Sequence, residues 1–154
     1  MTGEANNRKI LAIDDDPTNL AVLKVHLQRM KLIPLLEQDP HKGLQRALQE
    51  KPDIILLDVI MPEMDGYELC RRLKADARTA SIPVIFISAR DHSRDIVEGL
   101  ELGAVDYVSK PFQAGELKAR IETVCRMISL QEELARQAST DELTGLTNRR
   151  KLME

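Results

Sequence analysis

The sequence predicts a doubly wound α/β domain, in which helices cover both faces of a parallel β-sheet. Short apolar runs alternate with amphipathic stretches along the chain, which is the pattern of repeated βα units. The apolar runs are nearly continuous, as expected for strands that are buried on both faces. Asp16-Pro17 and Asp39-Pro40 mark two helix starts, because aspartate caps a helix and proline suits its first position.

Five strands are predicted, each followed by a helix. The strands span residues 10–13, 32–36, 54–57, 84–87 and 104–109. The helices cover residues 20–30, a segment from Pro40 onward, residues 67–73, residues 96–102, and a last segment that begins near Gln113 or Ala114. Pro34 has no N–H to donate to a neighbouring strand, so the second strand is expected at an edge of the sheet.

The last helix is predicted to outrun the domain. One apolar stripe is formed by Leu117, Ile121, Val124 and Ile128, and after a phase shift a second one by Met127, Leu130, Leu134 and Ala138. Residues 116–138 contain neither Gly nor Pro. We interpret residues 129–138 as a signalling-type helical linker. The alternative is an ordinary last helix followed by a frayed tail.

The composition argues against nucleic-acid binding, cysteine redox chemistry and membrane insertion. The chain has 154 residues, with 22 Lys and Arg against 25 Asp and Glu, so it offers no overall basic field for nucleic acid. Cys70 and Cys125 lack metal or redox spacing and are expected to be reduced thiols. No apolar run is long enough to span a bilayer, and the polar start lacks a signal-peptide core. We therefore expect a soluble cytoplasmic protein without membrane contact.

Acidic and cationic side chains follow the predicted strands. Residues 14–16 are all aspartates, and Asp58, Ser88 and Lys110 end three further strands. The carboxyl ends of parallel strands form the ligand-binding edge of such a sheet. Clustered carboxylates need a compensating cation, and Mg²⁺ prefers their oxygen atoms. A lysine and a hydroxyl could bind phosphoryl oxygens while one carboxylate attacks in line, so the sequence predicts a phosphoryl-transfer site.

These residues stand in motifs that resemble the response regulator receiver family over residues 8–128. The motifs are Asp14-Asp15, Asp58-Val-Ile-Met-Pro-Glu-Met-Asp-Gly66, Ser88-Ala89 and Tyr107-Val-Ser-Lys-Pro-Phe112. The resemblance implies a flavodoxin-like five-stranded sheet in the order 2-1-3-4-5, in which strand two is an edge strand.

The resemblance also implies roles for single residues. Asp58 would accept a phosphoryl group from a histidine kinase or a phosphotransfer protein and become an acyl phosphate. Asp14 and Asp15 would hold Mg²⁺ together with Asp58, and the backbone carbonyl of Ile60 would supply another ligand. Lys110 would contact the phosphoryl group.

Ser88 and Tyr107 correspond to the output switch of such receivers. The hydroxyl would move to a phosphoryl oxygen while the aromatic ring turns inward. Ser88 stands where the family often has threonine. The family pattern further implies a cis Lys110-Pro111 bond, and Asp16 is expected to cap the first helix rather than bind metal.

The carboxyl-terminal segment resembles a second family. Asp141-Glu-Leu-Thr-Gly-Leu-Thr-Asn-Arg-Arg150 is similar to the opening of GGDEF diguanylate cyclase domains, which make cyclic di-GMP from GTP. We therefore divide the chain into a polar tail (1–8), a receiver (9–128), a helical linker (129–138) and a truncated GGDEF start (139–154). This chain would not itself be a cyclase. Dimerisation through the helix 4/helix 5 face and the linker would control the output.

Two other functions remain open at this point. Asp14-x-Asp16-x-Thr18 fits the nucleophile motif of haloacid dehalogenase-like phosphatases, with Asp14 as nucleophile, Asp16 as acid, and Ser88 and Lys110 as phosphate binders. That class needs a further acidic pair after a later strand, and the sequence from Phe112 onward is helix-like instead. The third possibility is a stand-alone receiver that acts only by binding other proteins.

Overall fold

The computed structural model describes residues 7–90 and 92–145 of the chain. Within them, five strands alternate with five helices. The strands are β1 (Lys9–Ile13), β2 (Ile33–Glu37), β3 (Ile54–Leu57), β4 (Val84–Ser88) and β5 (Asp106–Ser109). The helices are α1 (Pro17–Arg29), α2 (Pro40–Glu50), α3 (Gly66–Ala75), α4 (Ser93–Glu101) and α5 (Ala114–Gly145). Residues 1–6 of the predicted tail and 146–154 of the GGDEF-like segment lie outside the described residues.

All strand pairs are parallel, and the sheet order is β2-β1-β3-β4-β5, which confirms the predicted topology. Pro34 lies in β2 at the edge of the sheet, where its missing N–H removes no bond from a second neighbour. The fifth strand is shorter than predicted and begins at Asp106 rather than Ala104.

The sheet separates two apolar cores, because successive side chains of a strand point to opposite faces. In β1, Leu11 and Ile13 join the core that contains Tyr67 and Phe86. Ile10 and Ala12 join the opposite core, with side chains from α1 and α5. Burial on both faces explains why the strand sequences are continuously apolar.

Aspartates fix the starts of three helices. The side chain of Asp16 accepts a hydrogen bond from the Thr18 N–H at 2.9 Å, which confirms its predicted capping role. Asp39 caps α2 in the same way, with Pro40 in the first turn. Asp65 caps α3 by accepting from the Glu68 N–H at 2.9 Å, a cap that the sequence analysis did not single out. These caps satisfy N–H groups that have no partner within the helix.

Helix α5 is 32 residues long and passes through Ser139 without a break, so the cap-like cluster there does not end it. Its first half is anchored by buried residues such as Leu117 and Ile121, whereas Leu130 and Leu134 are 64% and 65% exposed. The assignment of residues 129–138 as a linker stays a prediction. No helix in the described part of the chain is both long and apolar enough to cross a membrane.

Arg8 ties α5 to the sheet. Its guanidinium donates to Ser129 Oγ at 2.8 Å and to Glu132 Oε1 at 3.2 Å. It also donates to Asp53 Oδ1 at 3.3 Å, in the turn before β3. These contacts hold the helix against the domain at the point where its apolar face becomes exposed.

Candidate functional site

The polar residues predicted at the strand ends meet at one edge of the sheet. The Asp58 N–H donates to the Ile13 carbonyl at 3.0 Å, which places the end of β3 beside the end of β1. One carboxylate oxygen from each of Asp14, Asp15 and Asp58 lies within 4.8 Å of the others. Asp14 and Asp58 are buried, whereas Asp15 is exposed. The fold therefore gathers three carboxylates from two strand ends into one pocket.

Lys110 lies between the two buried carboxylates. Its Nζ is 2.9 Å from Asp14 Oδ2 and 3.5 Å from Asp58 Oδ2. The Lys110 N–H donates to the Ser88 carbonyl at 2.8 Å and so positions the end of β5 beside β4. The Lys110-Pro111 bond is cis, as the family pattern implied. One cation thus faces a cluster of three carboxylates.

The negative charge of the three carboxylates is only partly neutralised by Lys110. Burial, followed by the nearby charge of Asp14, raises the pKa of Asp58 from 3.8 to about 6. Lys110 and the Ile60 N–H, which lies 3.4 Å from Asp58 Oδ1, oppose this rise only in part. Hard oxygen donors with uncompensated negative charge are the ligands that Mg²⁺ accepts. The residues present therefore fit a magnesium ion.

Asn19 belongs to the site, and the sequence analysis missed it. Its Nδ2 donates to Asp14 Oδ2 at 3.2 Å, while the Asp16 N–H donates to Asp14 Oδ1 at 2.9 Å. With Lys110, these groups hold the Asp14 carboxylate in one orientation. The position of Asn19 in the first turn of the helix after the acidic run was the available signal.

Ser88 and Tyr107 lie on the neighbouring strands β4 and β5. Ser88 is fully buried, and its Oγ accepts a hydrogen bond from the Arg90 N–H at 3.2 Å. The Tyr107 ring faces the interior, with its centroid 5.7 Å from that of Phe86. Its hydroxyl donates to the Arg90 carbonyl at 2.6 Å. Both side chains therefore contact the backbone of one residue in the segment that leads to α4.

The glycine that ends the Asp58 motif allows a close backbone contact. The Gly66 N–H donates to the Val59 carbonyl at 2.8 Å. A Cβ on Gly66 would lie 2.1 Å from the Asp58 carbonyl oxygen, which is backbone and cannot move aside cheaply. Only glycine lets α3 begin this close to Asp58.

The fold and the site together define a class of protein, the flavodoxin-like receiver fold with an acidic pocket at the carboxyl edge of its sheet. Residues 10–122 match the profile of the response regulator receiver domain. The chain therefore belongs to the response regulator receiver family. It is a receiver domain and not itself a catalytic enzyme.

Similar proteins support this assignment. The chain is 37% identical over 142 residues to the alkaline phosphatase synthesis transcriptional regulatory protein PhoP of Bacillus subtilis, covering 90% of this chain and 57% of that protein. It is 37% identical over 138 residues to the response regulator PleD of Caulobacter vibrioides, covering 90% of this chain and 30% of that protein. The chain thus spans about half or less of the length of such relatives.

One solved structure with a similar fold contains a metal ion. The receiver domain of the sensor histidine kinase PA1611 from Pseudomonas aeruginosa PAO1 has a TM-score of 0.72 and 28% identity, covering 77% of this chain and 98% of that one. That structure is described with a magnesium ion coordinated in its active-site cleft. The comparisons do not support the phosphatase alternative, and its supposed acid, Asp16, caps α1 instead.

Proposed function

We propose that Asp58 is the phosphoacceptor of this receiver and takes a phosphoryl group from a histidine kinase or a phosphotransfer protein. The observation that carries the proposal is the juxtaposition of three carboxylates within 4.8 Å and a lysine 3.5 Å from Asp58 Oδ2. Mg²⁺ would be held by Asp14, Asp15, Asp58 and the backbone carbonyl of Ile60. When bound, it supplies positive charge to the phosphoryl oxygens.

The proposed transfer forms one bond and breaks another. A carboxylate oxygen of Asp58 attacks phosphorus and forms an O–P bond, while the P–N bond to the donor histidine breaks and its electron pair leaves with the imidazole nitrogen. Lys110 donates to a phosphoryl oxygen, and the Ser88 hydroxyl moves from its present contact to donate to another. A groove whose lining includes Val22, Phe112 and the site residue Lys110 would offer the donor protein an apolar surface beside the site.

The structural change caused by phosphorylation would reach α4 through Ser88 and Tyr107, which both contact Arg90. Val97 and Leu100, three positions apart on α4, and Val105 before β5 leave between 40% and 50% of their surface exposed. We propose that two copies of the chain dimerise through this α4 surface and through the exposed α5 side chains Leu130 and Leu134. The stability of the dimer would depend on phosphorylation. The coupling would act on a bistable element, as in other switches.

The proposed output is a diguanylate cyclase domain that follows α5 in a longer protein. The similarity of residues 141–150 to the opening of GGDEF domains supports this output. A transcriptional output is the second candidate, since PhoP is named a transcriptional regulatory protein. Incubating the full-length gene product with GTP separates them: formation of cyclic di-GMP supports the first, and sequence-specific DNA binding without it supports the second.

Intact-mass measurement after incubation with acetyl phosphate and Mg²⁺ tests the phosphoacceptor. The unaltered chain should gain one labile phosphoryl group, and Asp58→Asn should gain none. Glu101→Gln, an exposed change at the end of α4, serves as the control and should still be modified. An adduct that persists in Asp58→Asn but disappears in Asp14→Asn would refute the proposal and favour a phosphatase-type nucleophile.

A further inference from the structure

Tyr67 makes a long-range contact that the proposed switch does not use. It is the second residue of α3, is 3% exposed, and its hydroxyl donates to the Asp95 carbonyl at 2.9 Å. Asp95 lies in the first turn of α4. Burial, followed by the neighbouring Tyr107 hydroxyl, raises the pKa of Tyr67, so its hydroxyl keeps its proton and remains a donor.

The start of α3 is joined closely to the phosphoacceptor backbone. Gly66, directly before Tyr67, donates its N–H to the Val59 carbonyl at 2.8 Å. A Cβ at Gly66 would lie 2.1 Å from the Asp58 carbonyl oxygen, so the two backbones are in direct contact. A shift of the Asp58 backbone therefore displaces the residue that carries the Tyr67 ring.

Tyr67 and Tyr107 contact the backbone at two points around the start of α4, and their hydroxyls are neighbours. The Tyr107 hydroxyl donates to the Arg90 carbonyl before the helix. The Phe86 ring packs against both, with its centroid 5.3 Å from that of Tyr67 and 5.7 Å from that of Tyr107. Gly99 of α4 packs closely against these rings, since a Cβ there would lie 3.0 to 3.1 Å from ring atoms of Phe86 and Tyr107. Close packing makes the three rings respond together to a displacement of one of them.

We propose that Tyr67 is a positioning residue that couples the Asp58 loop to α4, as a second connection beside the one through Ser88 and Tyr107. The path runs from the Asp58 carbonyl to Gly66, through the Tyr67 ring, to the Asp95 carbonyl. This inference rests on the proposed phosphorylation of Asp58. The coupling is measured as the effect of Asp58 phosphorylation on α4.

The test uses the full chain and the Tyr67→Phe variant, which keeps the ring and removes only the hydroxyl. Hydrogen exchange of residues 92–101 is followed with and without acetyl phosphate and Mg²⁺, together with the extent of phosphorylation by intact mass. Thr79→Val is the matched control, because Thr79 is buried and its hydroxyl donates to the Leu73 carbonyl at 2.6 Å, at the other end of α3. Both variants lose one buried hydroxyl and its bond to a carbonyl.

We expect Tyr67→Phe to be phosphorylated to the same extent as the unaltered chain, while the phosphorylation-dependent change in α4 exchange falls about twofold or more. Thr79→Val should retain the full change. A purely structural role would alter exchange equally with and without phosphate and leave their ratio unchanged, which would overturn the inference. If the unaltered chain forms no adduct, the proposed function fails. The coupling is then judged by the response of α4 to Mg²⁺ alone, which Tyr67→Phe must diminish.

Discussion

Replacing Asp58 by asparagine is expected to stabilise the fold at neutral pH, because the native carboxylate is ionised in a buried and negatively charged pocket. Its pKa rises from 3.8 to about 6, chiefly by burial. At about 1.4 kcal/mol per pKa unit, ionisation lowers the free energy of unfolding by at most about 3 kcal/mol. Lys110 also contacts Asp14 at 2.9 Å, so we expect the change to leave no unpaired buried cation. We expect a gain of about 1 to 3 kcal/mol.

The stability gain expected for Asp58→Asn depends on pH. Because the folded chain holds the Asp58 proton more tightly than the unfolded chain, the contribution of Asp58 to stability falls as pH rises from 3.8 to about 6 and stays at the lower level above that. Asparagine does not ionise. The advantage of Asp58→Asn should therefore be small near the lower pKa and complete above the higher one.

Urea unfolding followed by circular dichroism, in EDTA and across this pH range, measures the effect. Asp15→Asn removes the same charge from an exposed member of the cluster and should give a much smaller gain. Equal stability of Asp58→Asn and the unaltered chain above the higher pKa would refute the reasoning. So would a gain that does not change with pH, because it would not come from ionisation.

Three further predictions concern metal binding, backbone contact and the long helix. Mg²⁺ at about a hundred times its dissociation constant should raise the free energy of unfolding by about 2.7 kcal/mol, and by less in Asp58→Asn, as measured by urea unfolding. Gly66→Ala should destabilise the fold by about 3 kcal/mol, because its Cβ would meet backbone at 2.1 Å. Gly115→Ala, with nothing within 4 Å, should instead stabilise it by about 0.5 to 1 kcal/mol, and the two opposite shifts in melting temperature check the steric argument. Arg8→Ala should accelerate hydrogen exchange of residues 126–132, whereas Arg136→Ala, which breaks an exposed pair with Glu133 outside that segment, should leave its exchange unchanged.

Much of the fold was predictable because its signals are local or periodic. Continuous apolar runs indicated buried parallel strands, and Asp16 and Asp39 before proline marked two helix starts that the structure confirms. Pro34 indicated the edge strand for a reason that lies in one residue alone, its missing N–H. The end of the last helix was predicted less well, since the polar cluster at residues 139–141 resembles a cap although the helix continues to Gly145.

The sequence by itself determined which side chains stand at the strand ends, because strand length and chain order place them there. Only the tertiary structure decided how those groups share charge. Lys110 pairs with Asp14 across 96 positions of sequence, and Asn19 turns back onto the same carboxylate. The contact of Tyr67 with Asp95 likewise depends on how two helices pack. Such contacts depend on distances of a few ångströms between distant residues, and no local propensity or periodicity encodes those distances.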